Sequence, residues 1–202
     1  MKVAVLASGA GSTFENLVAT RKQYEGTVGF LVVDRPCGAT ALADRLGVRW
    51  TEAADDATIF DLCRGEGIDV VCCAGWLRKL EVPPDFRHRV LNVHPSLLPA
   101  FGGRGMHGMA VHRAVAASGV KFAGCTVHFV TEEYDAGPIV LQRLFELQFP
   151  YTPERLAERV GYEEKIVYPL ALRDFRWGLR TAGRWVVRDA DQPDYRVPGG
   201  KR

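Results

Sequence analysis

Three observations predict an α/β fold, an open and mostly parallel twisted sheet with helices on both faces. Short β-branched apolar runs recur along the chain, segments of helical length separate them, and a glycine turn follows the first run. Strands spaced this way belong to βαβ units, whose parallel sheet is covered on both sides and so needs no polar alternation.

The runs "KVAVLAS", "GTVGFLVV", "GVRWT", "IDVVCCAG" and "RVLNVH" are the first five strands. After the first, Ser12 and Glu15 have the spacing of a capping box, which starts a helix at Ser12 or Thr13. "FAGCTVHFV" and "PIVLQRLFEL" read as two more strands, joined by the polar turn "TEEYDAG". Thr152 and Pro153 then make an N-cap and first-turn pair for a helix from about Pro153 to Gly178, which Pro169 should kink. "RWVVRD" and a Pro/Gly-rich tail complete the chain. At 202 residues, with no repeat and no linker, residues 1–202 are expected to form one domain, with 179–202 a short carboxyl-terminal extension.

Lys and Arg number 26 against 24 Asp and Glu, with no block of like charge, so a nucleic-acid partner is not indicated. A small phosphorylated ligand stays compatible with that balance. The five cysteines are an odd number without CxxC spacing, which fits neither a zinc site nor a disulfide framework and suits a reducing cytoplasm. Gly and Ser interrupt the amino terminus too early for a signal peptide, and no window is apolar enough for a membrane span.

Ligands of open α/β sheets bind beyond the carboxyl ends of the strands. At the first such end, "ASGAGSTFENL" can bring backbone N–H groups to an anion, because Gly9 and Gly11 permit close approach and a helix begins there. A plain strand-to-helix turn would also use these glycines. Phe14 stands where a dinucleotide fingerprint needs its third Gly, so a terminal phosphate fits better than NAD, even with Asp34 ending the second strand.

At the end of the fifth run, Asn92 and His94 are two apart and share a strand face, and "PSLLP" then limits how the backbone relaxes. A fixed amide donor beside an imidazole suits a reaction in which a carbonyl oxygen becomes negative while an amine loses a proton. Asp135, in "FVTEEYDAGP", could merely cap its own turn. If the sixth strand lies beside the fifth, its carboxyl end brings Asp135 to the rim, where it would orient and stabilise an imidazolium. His88, His107, His112 and His128 lack metal-pair spacing and are assigned to structure. Glu163 and Glu164 interrupt the apolar stripe of the last helix: either both reach water, or one binds a ligand amine or hydroxyl.

With "NVHPSLLP", "HFVTEEYDAGPI" and "SGAGS" quoted, the chain over residues 1 to about 178 resembles the folate-dependent formyltransferases, and among them the phosphoribosylglycinamide formyltransferases. That resemblance implies transfer of formyl from 10-formyltetrahydrofolate, as co-substrate, to the primary amine of glycinamide ribonucleotide in purine biosynthesis, through a tetrahedral intermediate. It implies that Asn92 and protonated His94 hold the oxyanion, and that Asp135 supports His94 and relays protons. Leu77, Arg78, Lys79 and Leu80, from "GWLRKL", would line the folate pocket with Asn92 and with Thr131, Glu132, Glu133, Tyr134 and Asp135. Gly11, Ser12 and Thr13 would hold the phosphate, and Gly161, Tyr162, Glu163 and Glu164 would face the glycinamide end. Small molecules would be the only ligands, without metal, nucleic acid or membrane, and the protein would be a cytoplasmic monomer or homodimer.

Some positions depart from the family pattern. Thr13 stands where Asn is usual, "FGGRGMHGMAVH" is longer than in some members, and the region from 50 to 68 is short enough that Arg64 is not assigned a folate contact. A formyltransferase for another amine, such as an amino sugar nucleotide, and a noncatalytic folate- or nucleotide-binding module are the competing readings. Retention of Asn92, His94 and Asp135 together argues against the binding module.

Overall fold

The computed structural model describes residues 1–53, 55–148 and 150–182. Its strands are β1 (Lys2–Ala7), β2 (Thr27–Val33), β3 (Trp50–Glu52), β4 (Val70–Cys73), β5 (Val90–His94), β6 (Phe122–Phe129) and β7 (Ile139–Glu146). Between and after them lie α1 (Ser12–Ala19), α2 (Gly38–Leu46), α3 (Asp56–Gly65), a 3-10 turn at Pro84–Phe86, α4 (Met109–Ser118) and α5 (Pro153–Ala182). All seven expected strands are present. The "RWVVRD" run and the extension beyond Ala182 lie outside the described residues.

One sheet runs in the order β3-β2-β1-β4-β5-β6-β7. Its first five strands are parallel, and the four residues of β4 and all but the first of β1 are buried, which accounts for their unbroken apolar sequence. α1, α2, α4 and α5 pack on one face around Phe14, Leu17, Val111 and Phe175, while α3 and the 3-10 turn cover the other with Ile59, Phe60 and Phe86.

β6 lies beside β5 as expected but runs antiparallel, with Asn92 opposite His128 and His94 opposite Thr126. The carboxyl end of β6 therefore points away from the rim where β5 ends. Asp135 reaches that rim only because the loop between β6 and β7 folds back, a route that the strand pattern does not encode.

The capping box is not formed. Gly11 is the N-cap in a left-handed conformation, φ 81°, so Ser12 is already helical, and Glu15 turns to Arg45 at 2.6 Å instead. A Cβ on Gly11 would come within 2.7 Å of Ala39, and this close packing of α1 on α2 requires the glycine. α5 does begin as expected, with the Arg155 N–H donating to Thr152 Oγ1, and it continues through Pro169.

Candidate active site

A cavity of about 380 Å³ opens at the carboxyl ends of β1, β4 and β5. Its walls come from the β1–α1 loop, the segment after β4, the end of β5, residues 103 and 105–108, the β6–β7 loop and single residues of β6, α4 and α5. The β1 and β4 ends are tied together: the Ser8 N–H donates to the Gly75 carbonyl at 3.1 Å, and Ser8 Oγ accepts from the Leu77 N–H at 3.2 Å.

Gly11, Ser12 and Thr13 line one end of this cavity, where the first N–H groups of α1 have no partner within the helix. No side chain caps them, so an anion is a natural partner for this terminus. Asp34 does not line the cavity and pairs instead with Arg35 at 3.2 Å.

The turn after β5 is held by Thr126. Its hydroxyl donates to the Ser96 carbonyl at 2.7 Å and accepts from the Leu98 N–H at 3.1 Å and from Gln142 Nε2 at 2.9 Å. A hydroxyl has one donor and two acceptor sites, so this buried group is fully used. The turn so fixed brings Phe101 and Gly103 against His94 and Asp135. His94 Nε2 donates to the Phe101 carbonyl at 2.9 Å, and the Gly103 N–H donates to Asp135 Oδ2 at 2.9 Å. Both Phe101 and Asp135 have positive φ, 56° and 55°, an uncommon conformation for side-chain-bearing residues that the surrounding contacts maintain.

Asp135 lies between two imidazoles, with Oδ2 3.4 Å from His94 Nδ1 and Oδ1 3.5 Å from His128 Nε2. Burial holds the His94 ring below the usual histidine range despite the opposing pull of Asp135. Burial also disfavours charge on Asp135, but His128, His94 and the Gly103 N–H outweigh it and keep the carboxyl below its usual range. Before substrate binds, desolvation of this buried ring thus outweighs the attraction of one carboxylate and favours its neutral form. With Nε2–H committed to Phe101, Nδ1 carries the lone pair and faces the carboxylate. Such a pair is set to take up one proton.

The structure brings every residue from Leu77 to Leu80 and from Thr131 to Asp135 to the cavity, along with Asn92 and His94. Arg64 is elsewhere, held by Asp85 at 2.8 and 2.9 Å and by Asp61 at 2.6 Å. Of Gly161 to Glu164, only Glu164 lines the cavity. Glu163 is buried away from the cavity lining and pairs with Arg143 and Arg159, each at 2.7 Å, while the exposed Tyr162 ring lies beside Arg159. Glu163 is thus shut off from water, so the alternative in which both reach it does not hold, while the half-buried Glu164 faces the cavity. Burial pushes the Glu164 carboxyl up to about 7, a value suited to a partner that brings a proton or a positive charge.

His107, His112 and His128 also line the cavity, although the sequence assigned them to structure. For His128 a signal existed: Thr126 and His128 alternate as polar positions on one strand face, just as Asn92 and His94 do on the neighbouring strand. Among the described residues, no group of three His, Cys, Asp or Glu is arranged to hold a metal ion, and no helix is long and apolar enough to cross a membrane.

Comparison with known proteins gives this cavity its context. Residues 1–172 match the formyl transferase family. The chain is 37% identical to the chloroplastic phosphoribosylglycinamide formyltransferase of Arabidopsis thaliana, over 96% of this chain and 72% of that protein. It is 36% identical to the trifunctional purine biosynthetic protein adenosine-3 of Gallus gallus, over 86% of this chain and 18% of that protein. The crystal structure of glycinamide ribonucleotide transformylase 1 from Symbiobacterium toebii superposes with a TM-score of 0.79 at 35% identity, covering 88% of each chain. A family match over most of the chain, on a sheet whose rim carries Asn92, His94 and Asp135, shows that the protein belongs to the formyl transferase family.

Proposed function

We propose that this protein transfers the formyl group of 10-formyltetrahydrofolate to the primary amine of glycinamide ribonucleotide, a step of purine biosynthesis. The observation that carries this reading is that one cavity joins an uncapped helix terminus, a near-neutral carboxyl and the Asn92, His94 and Asp135 cluster.

Each part has a role that its chemistry supports. The N–H groups at Gly11, Ser12 and Thr13 would hold the ribonucleotide phosphate. Glu164 would meet the amine at the other end of that substrate, accepting a hydrogen bond or taking a proton so that the nitrogen is nucleophilic. Leu77, Leu80 and Val130 give the folate ring an apolar wall, Arg78 and Lys79 supply cations for its acidic tail, and the loop from Thr131 to Asp135 offers backbone groups to its polar edge. The folate co-substrate delivers the formyl carbon.

As the amine nitrogen bonds to that carbon, the carbonyl oxygen gains negative charge, and an Asn92 N–H would stabilise it. His94 Nδ1 would take the proton that the amine loses, and Asp135 would stabilise the resulting imidazolium. The charged ring then adds to the stabilisation of the oxyanion. When the bond to the folate nitrogen breaks, the proton passes to that nitrogen, through Asp135 or water, and the cluster is reset. The reading needs no metal, nucleic acid or membrane, treats residues 1–202 as one formyltransferase domain, and places a monomer or homodimer in the cytoplasm.

The test mixes purified protein, 10-formyl folate and glycinamide ribonucleotide and follows deformylated folate by absorbance, with a control lacking the ribonucleotide. Release that depends on the ribonucleotide supports the proposal. Release without it indicates hydrolysis of the formyl folate, and no release in either tube redirects the search to other amine acceptors.

A further inference from the structure

We propose that His128 is a positioning residue that fixes which end of the Asn92 side-chain amide faces the cavity, and this proposal rests on the formyl-transfer reading above. His128 is 2% exposed and is the direct cross-strand partner of Asn92, so the two side chains share one face of the sheet. Its Nδ1 lies 2.9 Å from the Phe129 carbonyl oxygen, which can only accept. The proton of the neutral ring is therefore on Nδ1, and Nε2 presents a lone pair.

That lone pair is 3.2 Å from Asn92 Nδ2. It accepts one amide N–H and leaves the second N–H of the same nitrogen free for the transferring group. The reversed amide would set Asn92 Oδ1 against the Nε2 lone pair, so the hydrogen bond to His128 selects one orientation. Asp135 Oδ1, at 3.5 Å from the same Nε2, would accept from it only on a charged ring; on the neutral ring the shorter Asn92 contact is the hydrogen bond. A donor aimed before substrate arrives avoids reorganisation during the reaction, the condition under which an oxyanion contact contributes most. His128 acts here through Asn92 and not on the reacting atoms.

The prediction separates this role from packing. His128→Phe keeps a ring in the buried site and removes the acceptor; His128→Gln restores a carbonyl acceptor. His128→Phe should lower kcat by about tenfold to a hundredfold while KM for both substrates changes by less than about threefold. His128→Gln should recover most of that loss. In an Asn92→Ala background, His128→Phe should have no further effect, because the residue it positions is gone.

Unchanged kcat in His128→Phe, or an equal further loss in the Asn92→Ala background, would overturn the proposal. A second readout is independent of turnover: two-bond proton–nitrogen NMR of the ring should show His128 Nε2 unprotonated, with a resonance that moves in Asn92→Ala. A protonated Nε2 at neutral pH, or a resonance indifferent to Asn92, overturns the hydrogen bond. If the wild-type protein transfers no formyl group, the functional reading fails and the spectrum still decides the contact. If His128→Phe does not fold, the spectrum together with His128→Gln decides it.

Discussion

The side-chain amide of Asn16 donates to the carbonyl of Lys165 across 2.7 Å, and that carbonyl is the one Pro169 leaves without a helical donor. A proline inside a helix removes the i to i−4 hydrogen bond, so the carbonyl four residues earlier needs another partner. Asn16, on α1, supplies it. The missing bond in α5 thereby becomes a link between α1, which begins after Gly11, and the residue after Glu164.

Asn16→Ala should lower stability by about 1 kcal/mol, the usual net value of such a hydrogen bond where water can partly replace it. For a chain of this size, thermal unfolding should show a Tm decrease of about 2–4 °C. The same substitution in a Pro169→Ala background, where residue 169 regains its N–H, should cost clearly less. Equal losses in the two backgrounds would dissociate Asn16 from the proline.

A Cβ added to Gly137 would collide with the Phe129 carbonyl oxygen, at the point where the β6–β7 loop returns to the sheet. Gly137→Ala should therefore displace the loop that carries Asp135. The expected result is a folded protein whose kcat falls by at least about tenfold, with a circular dichroism spectrum close to wild type. Full activity would mean that the loop absorbs the methyl group without moving the carboxylate.

Glu164 provides a pH signature. Its folded-state carboxyl titrates near 7, above the usual value of 4.5, because burial disfavours the charged form. A raised pKa contributes stability that is complete below the unfolded value and is lost as pH rises through the folded one. Across the window from about 4.5 to 7, wild type should thus lose stability relative to Glu164→Gln. Tm measured at pH 5 and pH 8 should show the variant gaining on wild type at the higher pH, and KM for the ribonucleotide should rise in the variant. A Tm difference independent of pH would contradict the assignment.

His94→Ala and Asp135→Asn should each lower turnover by about a hundredfold to ten-thousandfold while largely sparing folate binding, as expected for groups acting in the transition state. Gly11→Ala, which forces a Cβ against Ala39 at 2.7 Å, should instead raise KM for the ribonucleotide. Steady-state kinetics with each substrate varied in turn separates these outcomes.

The central strands β1 and β4 were legible because a strand buried on both faces is apolar throughout, whereas the half-exposed edge strands β3 and β7 were read as short apolar runs bounded by turns. The direction of β6 was not, since "FAGCTVHFV" reads the same beside either orientation of its neighbour. That ambiguity hid His128, whose meaning depends on standing opposite Asn92. Asn92 and His94 were legible because two positions on one strand share a face wherever the strand lies. Asp135 was harder, as its approach depends on a loop folding back across the sheet. The glutamates of α5 show the same limit: helical phase marked both as unusual, but Glu163 finds Arg143 on β7, a partner that only the tertiary fold supplies.

The reversal of strand direction at β5–β6 has one more consequence. Asn92 and His128 sit in mid-ladder, so a shift of pairing by one residue would turn one of them to the opposite side of the sheet. Chemistry and sheet closure thus depend on the same row of backbone hydrogen bonds. Under denaturant, catalytic competence should disappear together with the β-structure and show no earlier transition of its own, so that an activity assay serves as a probe of global unfolding.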